Sequence, residues 1–183
     1  MIAIPETIWN VPAYLPYLQP PLTEDLIASA QQQLGFQLPP EYLDLLRAQN
    51  GGYIRFRLPR MIHSLIAGIG PHFPSITRSH LHEAQEEVSF PLKGLIPFDG
   101  DGHWHLCLDY RNNAASPAIT YIDVECDRQS PIAESFPQYL QRLQFKVGNS
   151  FVITPLADVQ ILKAFLSSAL AITFDPTDTI NHG

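Results

Sequence analysis

The sequence predicts an α+β domain, with a helical pair first and strands after it. Two observations carry this reading. Apolar residues recur at helical spacing over residues 22–46, and from residue 53 they switch to alternation with period two. A third sets the scale: 183 residues suit one domain, long enough to bury a core without disulfide or metal. The composition agrees, with 45% hydrophobic residues, ten Phe and seven Tyr. Charged residues make up only 16%, against about 25% in ordinary domains, so disorder is not expected.

Seventeen prolines do much of the parsing. Pro5, Pro12, Pro16, Pro20 and Pro21 fall in residues 5–21, among Trp9, Tyr14, Leu15, Tyr17 and Leu18. Each proline removes an N–H donor and restricts the residue before it, so residues 1–21 read as an extended arm that lays aromatic rings on the domain. A helix follows Leu22: Thr23 is the N-cap, Glu24 and Asp25 suit the positive end of the dipole, and Gly35 ends it. Leu26, Ile27, Ala30 and Leu34 form its apolar face. Pro39 and Pro40 open a second helix with Tyr42, Leu43, Leu45 and Leu46 inward, and Asn50-Gly51-Gly52 stops it.

Strands come next. Tyr53, Arg55 and Arg57 alternate with Ile54, Phe56 and Leu58, and Ile62–Ile69 reads as a second strand before Gly68-x-Gly70-Pro71. A short helix is predicted around residues 79–88. Residues 95–98, 104–110 and 118–125 read as strands, with RNNAASP as a turn. A third helix is predicted over residues 131–143, with Ile132, Phe136, Tyr139, Leu140 and Leu143 on one side. Beyond it, a strand near 151–153, a helix over 157–170 and an edge strand in the last residues complete the prediction.

Charge narrows the partners. The net charge is −7 with eleven Lys plus Arg, too few to neutralise a phosphate backbone, so no nucleic acid is expected. The short basic run Arg55, Arg57 and Arg60 does not change this. Anionic membranes would repel such a chain, and cationic partners would attract it. Cys107 and Cys126 are the only cysteines, which excludes a disulfide framework and suits two free thiols in a reducing compartment. The opening MIAIPETIWN lacks the basic and apolar regions of a signal peptide, and no apolar run approaches about 18 residues. A cytoplasmic protein is expected.

Four blocks then occur in a fixed order: LTEDLIASAQQQLGFQLPPEYLDLLRAQNGGYIRF, GLIPFDGDGHWHLCLDYR, ITYIDVE and IAESFPQYLQRL. Together they resemble the Smi/Knr-type branch of the SUKH superfamily, which includes yeast cell-wall-assembly regulators and bacterial toxin-immunity proteins. The resemblance covers residues 22–143, leaving 144–183 as an extension. It implies a largely antiparallel central sheet with helices packed on it, and a partner-binding face. It implies no catalytic residues, because the family offers no shared catalytic constellation, and fold analogy alone does not establish function.

The stretch Asp99-Gly100-Asp101-Gly102-His103-Trp104-His105-Leu106-Cys107-Leu108-Asp109-Tyr110 carries most of the polar chemistry. On a strand, His103, His105, Cys107 and Asp109 share one face, and Trp104, Leu106, Leu108 and Tyr110 share the other, the core face. In the next strand Tyr121, Asp123 and Glu125 alternate with Thr120, Ile122 and Val124. A hairpin could set the polar rows side by side, His105 and Asp109 near Tyr121, Asp123 or Glu125. The candidate partner-binding face is therefore Asp101, His103, His105, Asp109, Tyr121, Asp123 and Glu125.

The same His103, His105 and Asp109 supply the alternative, a metal site or metal-dependent hydrolase, since His-x-His on a strand with a carboxylate suits zinc or iron. A calcium loop does not fit, because Trp104 stands where the turn glycine belongs. The plainer reading makes DGDG a glycine-rich turn whose Asp99 and Asp101 bond its own amides, with no metal or cofactor. Cys107 reads as an inert buried thiol, because Asp109 beside it would raise its pKa. The function expected is stoichiometric binding of a protein, an immunity protein facing a basic toxin domain or a regulatory adaptor. A monomer or weak homodimer through an open sheet edge is expected.

Overall fold

The computed structural model describes residues 8–145. Helix α1 spans Glu24–Leu34 and starts where Thr23 Oγ1 accepts from the Leu26 N–H at 3.2 Å. It stops at Gly35, whose φ of 76° needs a residue without a side chain. Helix α2, Pro40–Ala48, uses proline in its first turn, where the missing N–H has no partner to lose. It buries Tyr42, Leu43, Leu45 and Leu46.

Asn50 then ties three segments together. Its side-chain amide donates to Pro20 O at 2.6 Å and Ile69 O at 2.9 Å, and its Oδ1 accepts from Ile69 N at 2.8 Å. Buried Gln19 does the same for the segment beyond, donating to His72 O and Pro74 O and accepting from His72 N. The arm is thus bonded to the body through amide side chains as well as packed through Ile8 and Trp9, both buried.

The strand predicted over Tyr53–Leu58 is split. Strand β1 (Gly52–Tyr53) pairs with β3 (Leu65–Ile66), Ile54 bridges to Trp9, and β2 (Phe56–Arg57) pairs with β8 (Gln144–Phe145). The alternation survives, with Ile54, Phe56 and Leu58 buried, because the chain stays extended while its neighbours change. The predicted strand at Ile62–Ile69 shortens to β3, since Gly68 turns away to meet Asn50. Residues Leu81–Glu87 form a 3-10 helix where a short helix is predicted.

The main sheet is four-stranded and antiparallel, in the order β4 (Leu95–Gly100), β5 (Trp104–Asp109), β6 (Ala118–Asp123), β7 (Arg128–Ala133). Strand β7 corrects the sequence reading, which begins a helix at residue 131. Pro131 lies on the sheet's outer strand, where its lack of an N–H is tolerated, and Arg128–Ser130 offers no apolar alternation to mark a strand. Helix α3 begins only at Phe136 and runs to Arg142, capped by Ser135.

Both faces of this sheet are covered. Leu106, Leu108, Tyr110 and Ile119 join the helices in the larger core, while Cys107, Ile122 and Val124 lie under Leu81, Val88, Phe90 and Leu92. The strand at 151–153, the helix at 157–170 and the terminal edge strand lie outside the described residues. No helix among the described residues is long and apolar enough to cross a membrane.

Candidate functional site

Strand register decides which polar residues meet. Across β5 and β6, Trp104 faces Asp123, His105 faces Ile122, Leu106 faces Tyr121, Cys107 faces Thr120 and Asp109 faces Ala118. Opposed residues share a sheet face. His105, Cys107 and Asp109 therefore lie on the face opposite Tyr121 and Asp123, and the side-by-side polar rows predicted from alternation do not form. Because the sheet is covered on both sides, polarity along one strand does not mark a solvent face. His103 and Glu125 meet instead, as an exposed ion pair at 2.7 Å where the hairpin ends.

Asp109 is buried and committed. Arg111 grips it with Nε at 2.9 Å and Nη2 at 2.7 Å, and the Thr120 hydroxyl donates at 2.8 Å. Burial pushes its carboxyl up, but the Arg111 and Thr120 hydrogen bonds outweigh burial and hold it below the ordinary range. Cys107 is fully buried, and burial with the Asp109 charge pushes its thiol well up, which disfavours the thiolate. His105 is half-buried, and desolvation draws its pKa down.

The metal reading loses its ligand set here. Asp109 lies four residues along β5 from His105, about 13 Å at strand rise, and is already held by Arg111. Among the described residues no three His, Cys, Asp or Glu side chains converge on a possible ion.

The DGDG stretch is a turn built on its own carboxylates. Asp101 Oδ1 accepts from His103 N at 3.0 Å and Trp104 N at 3.2 Å, and Asp99 Oδ1 accepts from Gly100 N at 2.8 Å. Asp99 does more than sequence shows. Its Oδ2 accepts from buried His63 Nδ1 at 2.7 Å and from Ser64 and Leu65 N–H, while His63 Nε2 meets the Tyr139 hydroxyl at 2.6 Å. An ionised carboxylate can only accept, so the hydrogen bond to Asp99 places a proton on His63 Nδ1 and leaves Nε2 to the Tyr139 hydroxyl. Burial pushes the Tyr139 phenol well up and keeps it protonated. The relay is sealed from solvent and clamps β4 to α3. Its one signal in sequence is a histidine inside the apolar run Ile62–Ile69.

What stays open is a groove of about 360 Å³ at the hairpin end of the sheet. Its floor is Trp104 and Tyr121, stacked at 5.9 Å and 19°, and the loop residues Arg60, Met61 and Ile62 wall it. Ile62 is 77% exposed. Asp123 lies opposite Trp104 on the same sheet face, its Oδ1 accepting from Cys126 N at 2.9 Å, and Asp101 is exposed in the adjoining turn. Burial raises the Asp101 carboxyl, but the Trp104 and His103 amides together outweigh it and hold it low, therefore charged. The Trp104 indole N–H is buried without a well-placed acceptor, though it helps stabilise the Asp101 charge. Alternation places Trp104 in the core; it is in fact half-buried, packed against the larger core while it lines the groove.

No curated protein matches the chain. A family model does, the SMI1 / KNR4 family (SUKH-1), over residues 21–142, from the end of the arm to the last residue of α3. With more than half of its length matched, and with the α+β fold described above, the chain belongs to the SMI1 / KNR4 family (SUKH-1).

Proposed function

We propose that this protein is a non-enzymatic, stoichiometric protein-binding domain, an immunity protein or regulatory adaptor, whose contact face is the hairpin end of the sheet. One observation carries the reading: the Trp104–Tyr121 groove and the charged turn beside it are open, while Cys107, Asp109 and the His63 relay are consumed by the fold. Buried aromatic anchors with a polar rim are what protein interfaces use for affinity. The net charge of −7 favours a cationic partner, such as a basic toxin domain. A cytoplasmic location suits the two free cysteines.

Affinity capture from native lysate tests this. The wild-type protein is expected to retain one dominant partner at equal stoichiometry. Charge reversal at Asp101 and Asp123 should release it, and so should Trp104→Ala. Retention by all of these variants sinks the assigned face, and capture of nothing sinks the binding function.

A further inference from the structure

The groove beside Trp104 is more selective than an apolar contact patch. Trp104 and Tyr121 stack in it, Met61 and Ile62 line it with them, and Asp123 lies just outside the lining, with Oδ1 accepting from Cys126 N at 2.9 Å and Oδ2 left for a further donor. Register puts Asp123 opposite Trp104 and on the same face as Tyr121. Asp123 and Asp101 both lie near enough to Tyr121 to raise its phenol pKa, adding to the effect of burial. Aromatic faces beside anionic oxygens attract a flat cation, which can stack on the rings and hydrogen-bond at its rim. A volume of about 360 Å³ sits at the small end of ligand sites, room for a side chain rather than a large molecule. A wider depression near the C-terminal end of α1 is lined by residues such as Gln31, Gln32 and Phe36, with no ionisable side chain.

Resting on the protein-binding reading, we propose that the groove receives an arginine side chain of the partner, its guanidinium laid on the Trp104–Tyr121 rings and paired by Asp123, with Asp101 adjacent. Arginine is preferred to lysine because its planar fork stacks and bonds at once, whereas an ammonium is a strongly hydrated point charge. Arg60 lines the same groove and opposes an incoming cation. Its removal should therefore tighten binding.

The test uses the folded full chain and N-acetyl-arginine methylamide, following the Trp104 indole resonance by NMR, assigned with Trp104→Phe. The citrulline analogue has the same shape without the charge. A saturating shift is expected with the arginine probe and at least about tenfold weaker binding with citrulline, as loss of the cation–π and ion-pair terms requires. Asp123→Asn should weaken the arginine probe several-fold, Arg60→Gln should strengthen it, and Glu86→Gln over the other sheet face should change nothing. Equal response to arginine and citrulline overturns the proposal, as does no response at all. The titration needs no partner, so the two claims fail separately. A null titration, with a captured partner indifferent to Asp123→Asn, removes the arginine slot and leaves protein binding standing. A positive titration with no partner captured does the reverse.

Discussion

At the scale of single residues, the relay Asp99–His63–Tyr139 is where the fold has most to lose. Tyr139→Phe leaves His63 Nε2 buried without its 2.6 Å partner. That should cost about 1–3 kcal/mol, the desolvation penalty of an unsatisfied buried group. Urea denaturation measures it, and a loss under about 0.5 kcal/mol would mean that the bond is not satisfied as described. His63→Leu should cost at least as much, about 1.5–3 kcal/mol, because it removes a buried ring donor from the Asp99 carboxylate and leaves the Tyr139 hydroxyl unpartnered. His105 gives a pH signature instead. Its folded pKa is depressed by burial, so protonation favours the unfolded chain. Its contribution is complete above the unfolded value of about 6.5 and is lost as pH falls through the folded one. Asp109 behaves alike further down: its contribution is complete above about 4 and is lost as pH falls through its lowered folded value. His105→Asn should flatten the stability profile just below neutrality and leave the lower limb. An unchanged profile would remove His105 as its source.

At the scale of elements, close backbone approach explains Gly51 in the Asn50-Gly51-Gly52 stop and Gly68, which it meets. A methyl on Gly68 would sit 2.6 Å from Asn50 O, and one on Gly51 2.7 Å from Gly68 N. Gly68→Ala should therefore destabilise by about 1–3 kcal/mol through overpacking against backbone, read as a lowered melting temperature. A stability equal to wild type would mean the knot is looser than these distances. Both long helices were legible because caps and period act within a few residues: Thr23, Gly35 and Pro40 stand where predicted. Strand β7 was not, because an outer strand carrying Arg128, Gln129 and Pro131 lacks the alternation that burial on one face imposes. The polar face failed for a related reason. Asp109 reads as solvent-facing, yet Leu81, Val88, Phe90 and Leu92, of which the sequence predicts only a short helix around residues 79–88, cover its side of the sheet. Register is a property of two strands together, so no single strand could have revealed that His105 and Tyr121 lie on opposite faces.

At the scale of the whole molecule, the family resemblance was legible early because four blocks keep their order through the matched residues 21–142. The groove was not, because it is made by the loop at residues 60–62 meeting strands far away in sequence. An acidic chain using carboxylates at its contact edge should bind its partner with a salt-sensitive association rate and a less sensitive dissociation rate. Stopped-flow measurement at rising ionic strength checks this, and a salt-independent association rate would argue against charge-guided contact. Hydrogen exchange on the complex with the captured partner is the most direct measurement of where the protein binds. Slowed exchange concentrated at residues 100–105 and 121–130 is the predicted result. Protection confined to the aromatic cluster of Tyr14, Tyr17, Tyr53 and Phe73, with the hairpin end unchanged, would contradict it.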